Sequence, residues 1–456
     1  MNESKKTIIF AGVALAIALL AFVTTPRRVT PDAFLDKGEL FFPDFTDPND
    51  ATTLEVIDYD AETGTAIPFK VTNNNGIWTI PSHHDYPADG KDRLAKTAAG
   101  VIGIKKDEFR SDRPADHEAL GVIGPLDETE TALKGRGQRV TIKGKNEVIL
   151  ADFIISKEIE GREKYRFVRI PGKKLVYAVK MDIDISTKFS DWIEADLLQV
   201  EKDKIKQITL KDYSINERTG SVRKKDELVL NKDGDNWQGN KMSSEQEVDK
   251  TKTNDVLKTL DELNIVGVRT KPEGLTQSLK RSGDGISLST ETALSLQSKG
   301  YYFTRNGQLM SNEGELQART EDGVIYTLRF GEIVYGTGLT VTAGAQSDKD
   351  DEKETGENRY LFITTTFDAG EFTEPTKPKN REFTTKADSL WTDADKKNKE
   401  LQVTHDAWQR KIDNGRKLSD DLNARFARWY YIISSESFDK LDLSRKDLIK
   451  EKENDT

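Results

Sequence analysis

From Thr7 to Thr25 the chain holds an unbroken stretch of nineteen uncharged residues, with IIFAGVALAIALLAFV at its centre. No other stretch of its 456 residues is comparable. At a rise of about 1.5 Å per residue, such a helix spans roughly the 30 Å hydrocarbon layer of a bilayer. Lys5 and Lys6 precede it and Arg27 and Arg28 follow it. The pattern predicts a short tail over 1–6 and one transmembrane helix over 7–25. A cleaved secretory signal would have a shorter apolar core and a small-residue cleavage site. Here the apolar run continues to Val23, and the Ala-x-Ala triplets at Ala14, Ala16 and Ala18 lie inside it. The flanking basic charges nearly balance. Topology is therefore taken from layout: a tiny tail, one helix and a long polar body predict a single-pass protein of the cytoplasmic (inner) membrane, with its bulk extracytoplasmic.

Beyond the helix, residues 26–50 read as a tether. Pro31, Pro43 and Pro48 oppose regular structure there, while Leu40, Phe41, Phe42 and Phe45 offer apolar groups for docking on a surface. An order of elements then occurs twice. LEVIDYD (Leu54 to Asp60) and PFKVTNNNGIWTI (Pro68 to Ile80) alternate as strands around an Asn-Asn-Gly turn, and DGKDRLAKTAAGVIGI (Asp89 to Ile104) has helical spacing, with Asp89 as a candidate N-cap. IKQITLKDYS (Ile205 to Ser214), DELVLNKDGDNWQ (Asp226 to Gln238) and KTNDVLKTLDELNIVGV (Lys252 to Val268) repeat that order. Trp78 and Trp237 occupy matching places and are expected as equivalent core aromatics joining sheet to helix.

Strand-like sequence follows each helix. In the first copy it comprises QRVTIKG, EVILADFIIS, EKYRFVRIPG and LVYAVKM, and in the second ALSLQS, YYFTR, VIYTLRFGEIVYG and RYLFITTTF. Several strands around one helix predict an α+β fold of mainly antiparallel sheet with a packed helix, not a parallel nucleotide-binding sheet. The two modules are placed at 51–200 and 201–375. The charged insertion Ser347 to Asn358 reads as a solvated loop. Residues 376–456 change character and predict a helix-rich segment. Within it Phe426, Trp429, Tyr430, Ile432 and Ile433 form the densest apolar cluster after the membrane run. Core packing is the favoured reading; the alternative is an interaction surface built on Phe426, Trp429, Tyr430 and Ile433.

Composition narrows the function classes. The chain is 32% charged and carries a formal net charge of −10, with basic residues interspersed among carboxylates, so no basic stripe for nucleic acid forms. It has no cysteine, which removes disulfides, thiolate catalysis and Cys-ligated metals. His83-His84-Asp85 is the nearest approach to a metal motif, but neighbours on an extended segment point apart, and His117 and His405 lack ligand spacing. Asp348, Asp350, Asp351 and Glu352 lack the glycine and glutamate placement of an EF-hand. Pairs such as Asp182 with Asp184 are expected by chance among 79 acidic residues. No catalytic, cofactor or metal residue is assigned.

The doubled pattern, GIWTI with DRLAKTAAGVIGI and then DNWQ with NDVLKTLDELNIVGV, followed by Leu120 to Val122 and the VYAV and VIYTL strands, resembles the bacterial domain-of-unknown-function 4340 family. The likeness covers about residues 50 to 370 with the anchor, and extends to the RWYYIIS tail. It implies a single-anchor envelope protein, often encoded beside gliding-motility-type ABC transporter components, with an auxiliary or scaffold role. The expected partners are the lipid bilayer through residues 7–25 and a membrane or envelope protein, with ABC transporter subunits as candidates. The alternative expectation is an envelope-polymer-binding protein or hydrolase using a cleft between modules.

Overall fold

A computed structural model of the chain describes residues 3–24, 36–183, 185–216, 219, 221–280, 289–304, 308–336, 341–342 and 357–452. The chain opens on α1 (Glu3–Thr24), a single helix over the apolar run. Side chains are described over 11–21 of it. There Val13, Leu15, Ile17, Leu19 and Leu20 are 52–66% exposed. Among the described residues, no helix is long and apolar enough to cross a membrane.

The first repeat gives β1 (Thr53–Asp60), β2 (Thr65–Asn74), β3 (Ile77–Ile80) and β4 (Tyr86–Pro87), then α2 (Lys91–Ile102). After it come β5 (Glu108–Ser111), β6 (Gln138–Lys143), β7 (Ile149–Glu158), β8 (Tyr165–Arg169) and β9 (Val176–Lys180). The second repeat gives β10 (Ile205–Asn216), β11 (Ser221–Asp233), β12 (Asn236–Gly239), β13 (Gln246–Val248), α3 (Lys250–Asp261) and β14 (Gly267–Thr270). Then follow α4 (Glu273–Leu279), α5 (Thr290–Gln297), β15 (Tyr301–Phe303), β16 (Leu309–Ser311), β17 (Glu315–Thr320), β18 (Val324–Val334) and β19 (Asn358–Phe367). The chain closes with α6 (Asp393–Phe426), β20 (Trp429–Ile433), α7 (Ser435–Leu441), α8 (Arg445–Leu448) and β21 (Ile449–Glu451).

Both repeats turn on the predicted hairpins, by different backbone solutions. In the first, Asn74 pairs with Ile77, and the two loop residues Asn75 and Gly76 both have positive φ, as a type I′ turn requires. In the second, Asp233 pairs with Asn236, and Gly234 has positive φ whereas Asp235 does not. Gly234 thus supplies at the first loop position the conformation that Asn75 adopts in the other hairpin.

Contacts divide the chain into two compact units, 1–68 with 94–185 and 69–93 with 186–456. This differs from boundaries at 200 and 375, because the β2–β4 hairpin and the C-terminal segment both pack into the second unit. In the first unit, β1, β6, β7, β8, β9 and β5 lie side by side in that order, antiparallel at every step. Leu94, Thr97, Ala98 and Val101 recur on one buried face of α2. The described part of the predicted tether docks on this unit. Phe45 is 2% exposed, Phe41 meets Tyr177 edge-on at 5.5 Å, and Phe42 lies 5.6 Å from Phe153. Residues 25–35 and the acidic loop up to residue 356 lie outside the described residues.

In the second unit, β12, β11, β10, β17, β18, β19, β20 and β14 form one antiparallel sheet in that order. The C-terminal segment, read as helix-rich, therefore contributes an interior strand. The reason is local: Trp429–Ile433 is five consecutive buried residues, the signature of a strand covered on both faces. The 34-residue α6 leads into it and packs on β19. A Cβ added at Gly415 would stand 2.7 Å from the Asp322 carbonyl and run into Phe367, so that crossing needs glycine. ALSLQS is helical, not a strand. Ser289 caps α5 by accepting from the Thr292 amide, and Leu296 is buried while Leu294 is 61% exposed, an arrangement set by helical turn rather than by alternation.

Candidate functional site

A concavity lies where β10 outruns its neighbour. Pairing of β10 with β17 stops at Lys211 and Glu315, and Gly314, with positive φ, turns the chain away. The β10–β11 pairing continues to Asn216 and Ser221 through a bulge between Asp212 and Tyr213. The bulge re-aims side chains and opens three adjoining cavities of about 620, 260 and 320 Å³, all lined by Asp212.

The largest of these is charged, and most of its charge is tied in pairs. Glu315, almost buried, receives Lys211 at 2.8 Å and Arg329 at 3.2 Å. Lys225 reaches Asp212 at 2.9 Å, and Arg445 reaches Asp226 at 2.8 Å, holding the Asp226 carboxyl below its usual range. Tyr213 donates to or accepts from Ser311 Oγ at 3.3 Å, and burial pushes its phenol up. The Arg445 pair keeps Asp226 ionised and leaves it a poor proton donor.

Asp442, at the C-terminal end of α7 in the 260 Å³ cavity, behaves oppositely. Burial raises its carboxyl to about 6, with the Glu313 and Asp212 charges adding to the shift and Arg359 and Lys225 opposing it. An acid raised in the fold binds protons that the unfolded chain releases. Stability is therefore greatest below the unfolded value and falls as pH rises from about 4 through 6. Asp442 is exposed at the cavity rim, so solvent screens much of this effect; we expect Asp442→Asn to stabilise the protein above pH 7 and to have almost no effect at pH 4. Urea titrations at the two pH values check this, and an equal effect at both would contradict it.

The residues singled out in the sequence lie elsewhere in the same unit. Phe426, Trp429, Tyr430 and Ile433 are 0–3% exposed, so they are core and not an interaction surface. Tyr430 stacks on Tyr301 at 6.0 Å, and Trp429 meets Tyr86 edge-on at 5.0 Å. Trp78 and Trp237 are only half-buried, so neither is the core aromatic expected. Each sits on the short second strand of its hairpin, opposite Asn73 and Lys232, too near the turn for full cover. The core aromatic of this region is Trp192, fully buried 5.8 Å from Phe69.

His83, His84 and Asp85 do not converge. His83 is buried and stacked on Phe189 at 4.6 Å, and burial pushes its imidazole down to about 4, while His84 and Asp85 both turn through positive φ. In the first unit His117 meets the Lys174 carbonyl at 3.0 Å; in the second His405 lies 3.4 Å from Glu374. Among the described residues, no group of three or more His, Asp or Glu is placed to hold a metal ion. The four loop carboxylates Asp348, Asp350, Asp351 and Glu352 lie outside them.

Sequence reading missed Asp442, the Tyr213 bulge and Lys271. The last is a buried amine on the Phe426 carbonyl at 3.1 Å and over the Phe362 ring at 3.9 Å, and burial lowers it well below the usual lysine range. A single Asp or Lys in so charged a chain carries no local signal of its surroundings.

Residues 78–278 match the family model described as Domain of unknown function (DUF4340), which bears out the resemblance over less than half the chain. The match begins at Trp78 and runs through the second hairpin, α3 and β14 to α4, taking in Lys211 to Lys241 of the groove. No curated protein and no solved structure matches the chain.

Proposed function

We propose that this chain is a noncatalytic, membrane-anchored protein of the bacterial cell envelope that serves as an auxiliary or scaffold component of an ABC transporter-like complex. Its body stands outside the cytoplasmic membrane and offers the groove beside β10 to a partner. The observation that carries this reading is α1, a helix along the only long apolar run of the chain, with its described leucine, isoleucine and valine side chains turned outward. Burying those side chains in lipid recovers roughly 1.5–3 kcal/mol for each large aliphatic residue. The groove supports binding over chemistry, because Glu315, Asp212 and Asp226 are each committed to a cation.

Anchoring is tested by alkaline carbonate extraction of membranes from cells making the full chain or a variant lacking residues 1–30. The full chain is expected in the pellet and the truncated one in the supernatant; release of the full chain overturns the anchor. Association is tested by purifying the full chain in mild detergent and identifying transporter subunits that accompany it. Their absence overturns the scaffold role.

A second reading, a hydrolase of an envelope polymer, is favoured by Asp442 alone, since a carboxyl raised to about 6 is poised to donate a proton. Turnover of an envelope polysaccharide that disappears in Asp442→Asn would select it over the scaffold.

A further inference from the structure

We propose that the 620 Å³ groove takes an extended acidic peptide segment of a partner protein, laid along β16 with its carboxylates on Lys224 and Lys241. The inference rests on the scaffold reading and names what the groove binds. Two independent observations meet there. The first is charge. Five cations line the groove, Lys211, Lys224, Lys225, Lys241 and Arg329, against the acids Asp212, Asp226, Glu227 and Glu315. The pairs on Glu315, Asp212 and, through Arg445, Asp226 account for the rest, leaving Lys224 and Lys241 with no ion pair to a described residue, against Glu227. In a chain of net charge −10, a groove with surplus positive charge draws anionic ligands.

The second observation is a backbone donor. Thr304 N–H donates to the Gln308 carbonyl and Asn312 N–H to the Gly300 carbonyl, which makes those the hydrogen-bonded pairs of the β15–β16 ladder. By alternation, the Leu309 N–H and C=O point away from β15. Arg329 Nε donates to that carbonyl at 3.0 Å, while the Leu309 N–H has no partner among the described residues. A peptide carbonyl laid along this edge of the groove supplies an acceptor for it, next to the Ser311 N–H that Tyr213 Oη already holds at 3.2 Å. Leu309, Met310 and Tyr213 give that peptide an apolar wall between the lysines. A polyphosphate could use the lysines but would leave the strand-like register unused.

The test uses the full chain in detergent and a fluorescent hexapeptide alternating glutamate with valine, read by anisotropy. Saturable binding is expected, weakened about tenfold or more by Lys224→Gln with Lys241→Gln and lost when glutamine replaces glutamate in the probe. Amide exchange over Gln308–Ser311 should slow when the peptide is added. Equal binding of the glutamine peptide, unchanged exchange at Leu309, or binding of inorganic polyphosphate without the peptide would each overturn the proposal. Failure of the peptide with transporter subunits still co-purifying overturns the groove assignment alone; failure of both removes the scaffold reading beneath it.

Discussion

Replacing Tyr430 by alanine is expected to cost about 4 kcal/mol, within the range for deleting a buried aromatic. Tyr430 is fully buried and stands at the meeting point of the second unit's aromatic core. Its ring is parallel to Tyr301 at 6.0 Å, edge-on to Phe362 at 5.9 Å and Tyr360 at 6.5 Å, and its centre is 4.9 Å from the Lys299 ammonium nitrogen. Removing it leaves a void that neighbouring rings fill poorly, and it strips one aromatic face from Lys271, 5.4 Å away. Tyr430→Phe keeps the packing and loses the 3.1 Å bond to Ser295 Oγ, at about 1 kcal/mol. Urea unfolding of the full chain in detergent, followed by tryptophan fluorescence, separates the two. If alanine and phenylalanine cost the same, the ring's packing is not what holds this core.

Asn423→Ala should cost about 3 kcal/mol through a different mechanism, the loss of two buried hydrogen bonds to the backbone. Strand β20 pairs with β19 only from Arg359 to Leu361, so further along β19 the ladder needs another partner on that side. The Asn423 side chain on α6 takes that place. Its Oδ1 accepts from the Thr365 N–H at 2.8 Å and its Nδ2 donates to the Thr365 carbonyl at 2.8 Å, both buried. An amide thus stands in for a strand residue, and alanine would remove both of these bonds from the Thr365 backbone. Exchange of the Thr365 amide should rise together with the loss of stability. A variant that unfolds more easily while that amide stays protected would locate the cost elsewhere.

The sequence conveyed local pattern well and long-range environment poorly. Asn74 to Trp78 and Asp233 to Trp237 announced two hairpins because a tight turn needs particular residues at particular places. Alternation in VIYTLRFGEIV and RYLFITTTF announced β18 and β19 for the same kind of reason. The apolar cluster at the C-terminus was visible, but whether it faced solvent or core depended on β14 and β19, which lie far back in the chain. Trp78 and Trp237 misled because a tryptophan beside a turn suggests a core position, whereas a four-residue strand is too short to cover it. The cavities beside β10 were illegible: Asp442 owes its raised carboxyl first to burial and then to Glu313 and Asp212, which no spacing rule connects.

The place of β20 also governs the order in which the second unit can assemble. Arg269 must wait for Tyr430, and Tyr360 for Ile432, before the strands between them can close. As the chain emerges N-terminus first, β14 and β19 each expose an unpaired edge until β20 has appeared. Such edges are templates for pairing with other chains. Completion of the sheet therefore waits on synthesis of β20, well after the strands it joins. A ribosome stalled before Trp429 would present an adhesive half-sheet, and a holding chaperone would find its best purchase there.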